Sequence, residues 1–292
     1  MMEKSLRPRR SVLYMPGANA KALDKARSLA ADALILDLED AVAPDAKLMA
    51  RQQVAQAVNA GGYAPREVIV RVNGLNTEWG KADLEAVAPL PIDGVLLPKI
   101  EHPQQLHDAL SILDAVNPDH HLPLWIMAET PKGMLNIAQI VQNQPRLSVI
   151  VMGTSDLAKD LRVRHTPDRV GLLVPLSLCV IAARAYGLDI IDGVYLDLND
   201  EIGYNAACQQ GRDMGFDGKT LIHPKQIEAA NQAFAPSAQE VEQAHAVITA
   251  WEQAKNEGKG VVVVNGRLVE YLHVIEAQRI LALAQAITSL GA

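Results

Sequence analysis

The stretch Leu34-Ile35-Leu36-Asp37-Leu38-Glu39-Asp40 runs an apolar strand straight into three carboxylates. Strand side chains alternate with a period of two. Leu34, Leu36 and Leu38 therefore share one face, and Ile35, Asp37 and Glu39 share the other. Acids crowded at one strand end repel each other unless a cation, a bound metal or hydrogen-bond donors offset the repulsion. The same pattern, an apolar run ending in a polar group, recurs along the chain. Arg71 and Asn73 stand at the end of 68–72, Lys99 after 94–98, Glu129 after 124–128 and Asp156 shortly past 149–152. Asp192 and Tyr195 stand at the end of 190–193, and His223 follows 220–222.

These residue types suggest particular chemistry. Glu129 and Asp156 are acids without histidine or cysteine partners, a donor set that suits Mg²⁺, which takes one or two carboxylates and fills with water and substrate oxygens. Asp156 could instead cap the next helix. Arg71 offers a planar fork for a substrate carboxylate; it could equally pair with the acids after the second strand, and both can hold. Lys99 could be a Schiff-base lysine, though the acid cluster favours a charged ammonium. His223 before Pro224 reads as an acid/base group or a helix cap.

Eight β-rich runs, at 12–15, 33–38, 68–72, 94–98, 124–128, 149–152, 190–193 and 220–222, must position these groups. Amphipathic segments at 20–30, 44–59, 81–87, 103–116, 133–141, 170–186, 200–214 and 224–233 lie between them. This alternation predicts a (β/α)₈ barrel over residues 1–235, whose catalytic groups project from the C-terminal strand ends. No G-x-G-x-x-G or G-x-x-x-x-G-K-[ST] supports the competing open nucleotide-binding sheet. Residues 236–292 read as an appendage that packs on the barrel or a neighbouring subunit. In it Ser237 and Glu240 form a capping box, a helix follows, Asn265-Gly266 turns a hairpin of 261–264 and 267–269, and a last helix spans about 273–290.

Composition narrows the class. With 49% hydrophobic and 21% charged residues, the chain reads as an ordinary globular protein. Its net charge of -7 argues against a nucleic-acid partner. No apolar run reaches the roughly 18 residues of a membrane helix, and no apolar run of about 7–15 residues follows the basic first ten residues, so a cytoplasmic location is expected. Cys179 and Cys208 lack metal-ligand spacing and read as reduced core residues.

Taken in order, several segments resemble the citrate lyase β-chain-like family of the HpcH/HpaI aldolase superfamily. They are Arg10-Ser11-Val12-Leu13-Tyr14-Met15-Pro16-Gly17, Leu36-Asp37-Leu38-Glu39-Asp40-Ala41-Val42, Val70-Arg71-Val72-Asn73 and Leu97-Pro98-Lys99. Ala128-Glu129-Thr130, Gly153-Thr154-Ser155-Asp156-Leu157, Asp192-Gly193-Val194-Tyr195, Gly215-Phe216-Asp217-Gly218-Lys219, Ile222-His223-Pro224 and the hairpin 264–269 continue the match, which spans nearly the whole chain.

The resemblance implies a TIM barrel with Mg²⁺ on Glu129 and Asp156, Arg71 on the substrate carboxylate, and Asp37, Glu39 and Asp40 orienting metal-bound water. It also implies a homotrimer in which the hairpin lends an aspartate to the neighbour's site. Here Glu270 takes that position, and Arg162 stands where many relatives have glycine. Arg71, Lys99, Arg10 and Lys21 are the expected substrate contacts; Lys47 and Arg51 are further cations for coenzyme A or ordinary helix charges. The leading expectation is a Mg²⁺-dependent carbon–carbon lyase that cleaves citramalyl-CoA or malyl-CoA to acetyl-CoA and a keto acid. The alternatives are the β subunit of a citrate lyase complex, a malyl-CoA thioesterase, and a non-catalytic CoA-binding subunit.

Overall fold

The computed structural model describes residues 6–256, 258 and 260–291. The chain divides into two compact units, residues 9–233 and residues 1–8 with 234–292.

The larger unit is a closed barrel of eight parallel strands in sequential order: β1 Ser11–Pro16, β2 Ala33–Asp37, β3 Glu67–Arg71, β4 Gly94–Leu97, β5 Leu124–Ala128, β6 Leu147–Met152, β7 Asp189–Asp192 and β8 Gly218–Leu221. Pairing of Ser11 with Lys219 joins β8 to β1 and closes it. The expected (β/α)₈ barrel is therefore the fold. Every residue of β2, β3, β4, β5, β6 and β8 is buried. Helices cover the outer face of such a sheet, which is why these strands read as nearly continuous apolar runs.

Inside the barrel, Val12, Ala33, Ile35, Ile69, Leu96, Trp125, Met127, Val149, Val151 and Ile191 pack into one apolar floor. Two residues further along each strand, on the same face, come Tyr14, Asp37, Arg71, Pro98, Glu129, Gly153 and Gly193. The floor thus fixes which side chains line the mouth.

Helix starts cluster at the same rim. Asn19 caps Ala20–Ala26, His102 caps Pro103–Val116, Thr130 caps Pro131–Val141 and Asp200 caps Glu201–Asp213. Two details differ from the periodicity reading. The short helix Thr154–Leu161 is absent from the periodic segments, because eight residues are too short a window for an apolar period to show. The pattern at 170–186 is a 3₁₀ turn, Val170–Leu172, followed by the helix Leu173–Ala185.

The smaller unit contains the helix Ala238–Asn256, the antiparallel pair β9 Val262–Val264 and β10 Arg267–Val269, and the helix Tyr271–Ser289. Ser237 and Glu240 form the expected capping box: Ser237 Oγ accepts from the Glu240 N–H at 3.2 Å, and Glu240 Oε2 accepts from the Ser237 N–H at 2.7 Å. Asn265 and Gly266 have φ of 49° and 77°, the left-handed pair that a two-residue hairpin turn requires. Ala244, Val247, Val264, Val269, Val274 and Ala277 make this unit's own core. Among the described residues, no helix is long and apolar enough to cross a membrane.

Candidate active site

Asp37 and Arg71 meet at the mouth of the barrel. Asp37 is fully buried and accepts from the N–H groups of Glu39 at 2.9 Å and Ala41 at 3.0 Å. Arg71 donates to both its oxygens, from Nε at 2.7 Å and Nη2 at 2.6 Å. Arg71 Nη1 also lies 2.9 Å from Glu39 Oε2 and 3.5 Å from Asp40 Oδ2. Burial alone would weaken the guanidinium's hold on its proton; the charges of Asp37 and Glu39 outweigh it and keep the group charged. The fork is thus turned onto Asp37, which answers the repulsion among the strand-end acids. A substrate carboxylate would meet only the remaining Nη hydrogens.

Lys99 links the next two carboxylates. Its φ is 50°, a left-handed conformation costly for a residue with a Cβ. In that conformation its backbone N–H donates to Glu129 Oε1 at 2.7 Å and its Nζ donates to Glu39 Oε1 at 2.7 Å. The same ammonium lies 3.7 Å from Asp156 Oδ2 and 3.9 Å from Asp40 Oδ1. Partial burial opposes its charge, but Glu39 more than compensates and raises its pKa. This is a paired ammonium, not the desolvated neutral amine of a Schiff-base lysine.

Glu129 sits 2% exposed, and its carboxyl is pushed up to about 7, first by burial and then by the charge of Glu39. Gly153 makes room for it: a Cβ there would stand 2.4 Å from Glu129 Cβ. Asp156 lies in the first turn of the helix Thr154–Leu161 and is not its cap, which is Gly153.

A hard divalent cation fits this donor set. Asp37, Glu39, Asp40, Glu129 and Asp156 gather against Arg71 and Lys99, with Lys159 touching Asp156 at 3.2 Å. Glu39 Oε2 is buried without a hydrogen bond; its 2.9 Å approach to Arg71 is an ion pair whose geometry is misdirected for one. An unsatisfied buried carboxylate oxygen amid surplus acids is the condition a cation relieves. Among the described residues no three acid, histidine or cysteine side chains form a ready-made metal cage. A metal here would take few protein ligands and complete its shell with water and substrate oxygens, as Mg²⁺ does.

Other residues expected to act at this site have different surroundings. Arg10 precedes β1, so it stands at the opposite end of the barrel. It is 4% exposed and bound to Asp32, with Nε–Oδ2 and Nη2–Oδ1 contacts of 2.8 Å. It cannot serve as a substrate contact at this mouth. Asp192 is out of step with the inward-facing Ile191 and points toward the helices, where it binds Lys219 Nζ at 2.7 Å and Arg169 Nη1 at 2.8 Å. The Tyr195 hydroxyl donates to Asp200 at 2.5 Å. His223 is a cap: its Nδ1 accepts from the Lys225 N–H at 3.1 Å. Arg51 pairs with Asp83 at 2.7 Å. Lys21 is exposed in the first turn after β1, and Glu270 is exposed at the start of the last helix, in the smaller unit.

Two residues of the site carry more than sequence reasoning gave them. Lys47 is buried and donates to the carbonyls of Leu38 and Glu39 at 2.8 Å and to Asn73 Oδ1 at 2.7 Å, shaping the acidic loop from beneath. Tyr14 lies under Arg71, with the guanidinium carbon 4.9 Å from the ring centroid. The signal for Tyr14 was its place two residues beyond Val12 on the inward face.

Residues 10–224 match the family HpcH/HpaI aldolase/citrate lyase, and the chain belongs to that family. It is 52% identical over 291 residues to a protein of Cereibacter sphaeroides (strain KD131) named (3S)-malyl-CoA thioesterase, covering all of both chains. It is 37% identical over 290 residues to the citrate lyase subunit beta of Escherichia coli K12, covering 98% of this chain and 96% of that one. The structure of protein CitE from Mycobacterium tuberculosis, in complex with magnesium, acetoacetate and coenzyme A, superposes with a TM-score of 0.77 at 27% identity, covering 96% of this chain and all of that one. Carbon–carbon lyase activity is the leading expectation from the sequence, with thioester hydrolysis among the alternatives. Relatives matched end to end at 52% identity bear the name of a thioester hydrolase, and this overturns the lyase expectation.

Proposed function

We propose that the protein hydrolyses a malyl-CoA-type thioester, with Mg²⁺ held by Glu129 and Asp156. The observation that carries this reading is the acid-rich mouth with an unsatisfied Glu39 oxygen, in a chain similar from end to end to malyl-CoA thioesterases. Bound Mg²⁺ would polarise the substrate oxygens it touches. Water adds to the thioester carbonyl, the carbon–sulfur bond breaks, and coenzyme A leaves as the thiol. Glu39 accepts the proton of that water, because its buried Oε2 has no hydrogen bond of its own. Asp37 keeps Arg71 in place beside it, and the Arg71 hydrogens left over from that fork face the acyl carboxylate. Lys21, exposed in the first turn after β1, is the cation offered to the phosphates of coenzyme A.

Product analysis tests the reading. With purified protein, Mg²⁺ and malyl-CoA, hydrolysis yields free thiol and malate in equal amounts. Carbon–carbon cleavage would give acetyl-CoA and glyoxylate with no free thiol, and that outcome would refute the proposal. Glu129→Gln should abolish both thiol release and calorimetric Mg²⁺ binding.

A further inference from the structure

Among the described residues, the hydroxyl of Tyr14 has no strong hydrogen-bond partner. It donates to the Met127 thioether, at 3.4 Å, and a thioether sulfur is a weak acceptor. Tyr14 is half-buried where the apolar floor meets the mouth, and the buried part of a phenol that lacks a good acceptor carries a desolvation cost that a phenylalanine would avoid. The ring itself is accounted for: it packs on the apolar floor and lies under the Arg71 guanidinium. Stacking needs no hydroxyl, so the oxygen is the unexplained part.

Its surroundings say what it can do. Burial, together with the charges of Asp37, Glu129 and Glu39, outweighs Arg71 and raises the phenol's pKa, so it stays protonated. A protonated hydroxyl among carboxylates is a fixed neutral donor. The mouth already holds five acids, so an incoming anionic acyl group meets repulsion that Arg71, committed to Asp37, only partly relieves. A neutral donor can bind an anionic oxygen without further counter-charge.

We propose that the Tyr14 hydroxyl donates a hydrogen bond to an oxygen of the acyl group, making Tyr14 a substrate-binding residue of this site. The proposal rests on the hydrolase reading only for the name of the acyl group. Tyr14→Phe keeps the ring, its stacking and its volume, and removes only the donor. In the full-length protein with Mg²⁺, malate and oxaloacetate affinities measured by calorimetry, and kcat/KM for malyl-CoA hydrolysis, should fall about tenfold to a hundredfold, as expected when one hydrogen bond to a charged oxygen is lost. The thermal midpoint should stay that of the parent. Met127→Leu, a swap of similar volume that removes the thioether, should leave affinity and rate unchanged.

Parent-like affinity in Tyr14→Phe would overturn the assignment. So would a loss of stability without a loss of affinity, since the hydroxyl would then serve only Met127. A parent protein that binds neither acid also overturns it. A parent that binds malate but releases no thiol from malyl-CoA refutes the hydrolase reading instead, and the Tyr14→Phe affinities still decide the role of Tyr14.

Discussion

Lys99 reaches both carboxylates assigned to the metal by different groups, its backbone N–H to Glu129 and its ammonium toward Asp156. A unit positive charge within 4 Å of these oxygens must compete with a second cation for them. Lys99→Met should therefore tighten Mg²⁺ binding roughly tenfold, a Coulomb argument at the scale of one close charge. Lys159→Met controls for charge alone. Lys159 touches Asp156 from the exposed outside of the helix, where ion pairs are worth little. Calorimetric titration of both variants decides the matter, and equal effects would reduce the role of Lys99 to bulk charge. Much of this site was legible at the residue scale. Asp37, Arg71 and Glu129 each follow an apolar floor residue by two, and alternation alone aims them inward. Arg10 was misplaced because one residue before a strand and one after it lie at opposite ends of a barrel. The partners of Lys47 were hidden because Asn73 lies far along the chain, and only the fold brings them together.

The helices and loops were readable where they carried local chemistry. The Ser237 capping box and the Asn265-Gly266 turn declared themselves because their hydrogen bonds and dihedrals are set within four residues. The helix Thr154–Leu161 did not, because its position is fixed by β6 and by Gly153. That helix ends at Arg162, with φ 57° and ψ 34°, the left-handed stop that glycine adopts freely. Arg162→Gly should relieve this strain and raise unfolding stability by about 1 kcal/mol. A midpoint in denaturant equal to or below the parent's would contradict it. The loop that follows is anchored by Arg169 on the buried Asp192–Lys219 pair. Burial alone would raise the Asp192 carboxyl's pKa, but Lys219 and Arg169 hold it below the ordinary carboxylate value. A carboxylate with a lowered folded-state pKa adds stability above its unfolded value, about 3.9, and that stability is lost as pH falls through the folded value. Asp192→Asn strands the buried Lys219 ammonium and loosens the half-buried Arg169, and should cost about 3–5 kcal/mol at neutral pH. It should also flatten the acid limb of the stability profile below about pH 4. An acid limb as steep as the parent's would exclude Asp192 as its source.

At the scale of the whole molecule, the barrel supplies Asp37, Arg71, Lys99, Glu129 and Asp156, while Glu270 belongs to the other compact unit. Glu270 is exposed at the first residue before the last helix, and its N–H is held by His273 Nδ1 at 2.9 Å, so its place on that unit is fixed. The same unit exposes Val263, Leu268, Tyr271, Leu272 and Ile275, each by half its surface or more. Val263 and Leu268 are cross-strand partners. Exposed apolar side chains grouped on neighbouring elements suit an interface better than open solvent. We propose that the chain assembles as a homotrimer and that Glu270 acts at a neighbouring subunit's mouth. Arg71→Ala and Glu270→Ala chains should each be inactive alone. Co-assembled, they should regain part of the activity, because a Glu270→Ala subunit keeps Arg71 and receives Glu270 from its Arg71→Ala neighbour. Thiol release from malyl-CoA by verified mixed oligomers measures this. Mixed oligomers as inactive as their parents would place Glu270 within its own chain's chemistry or outside the chemistry altogether.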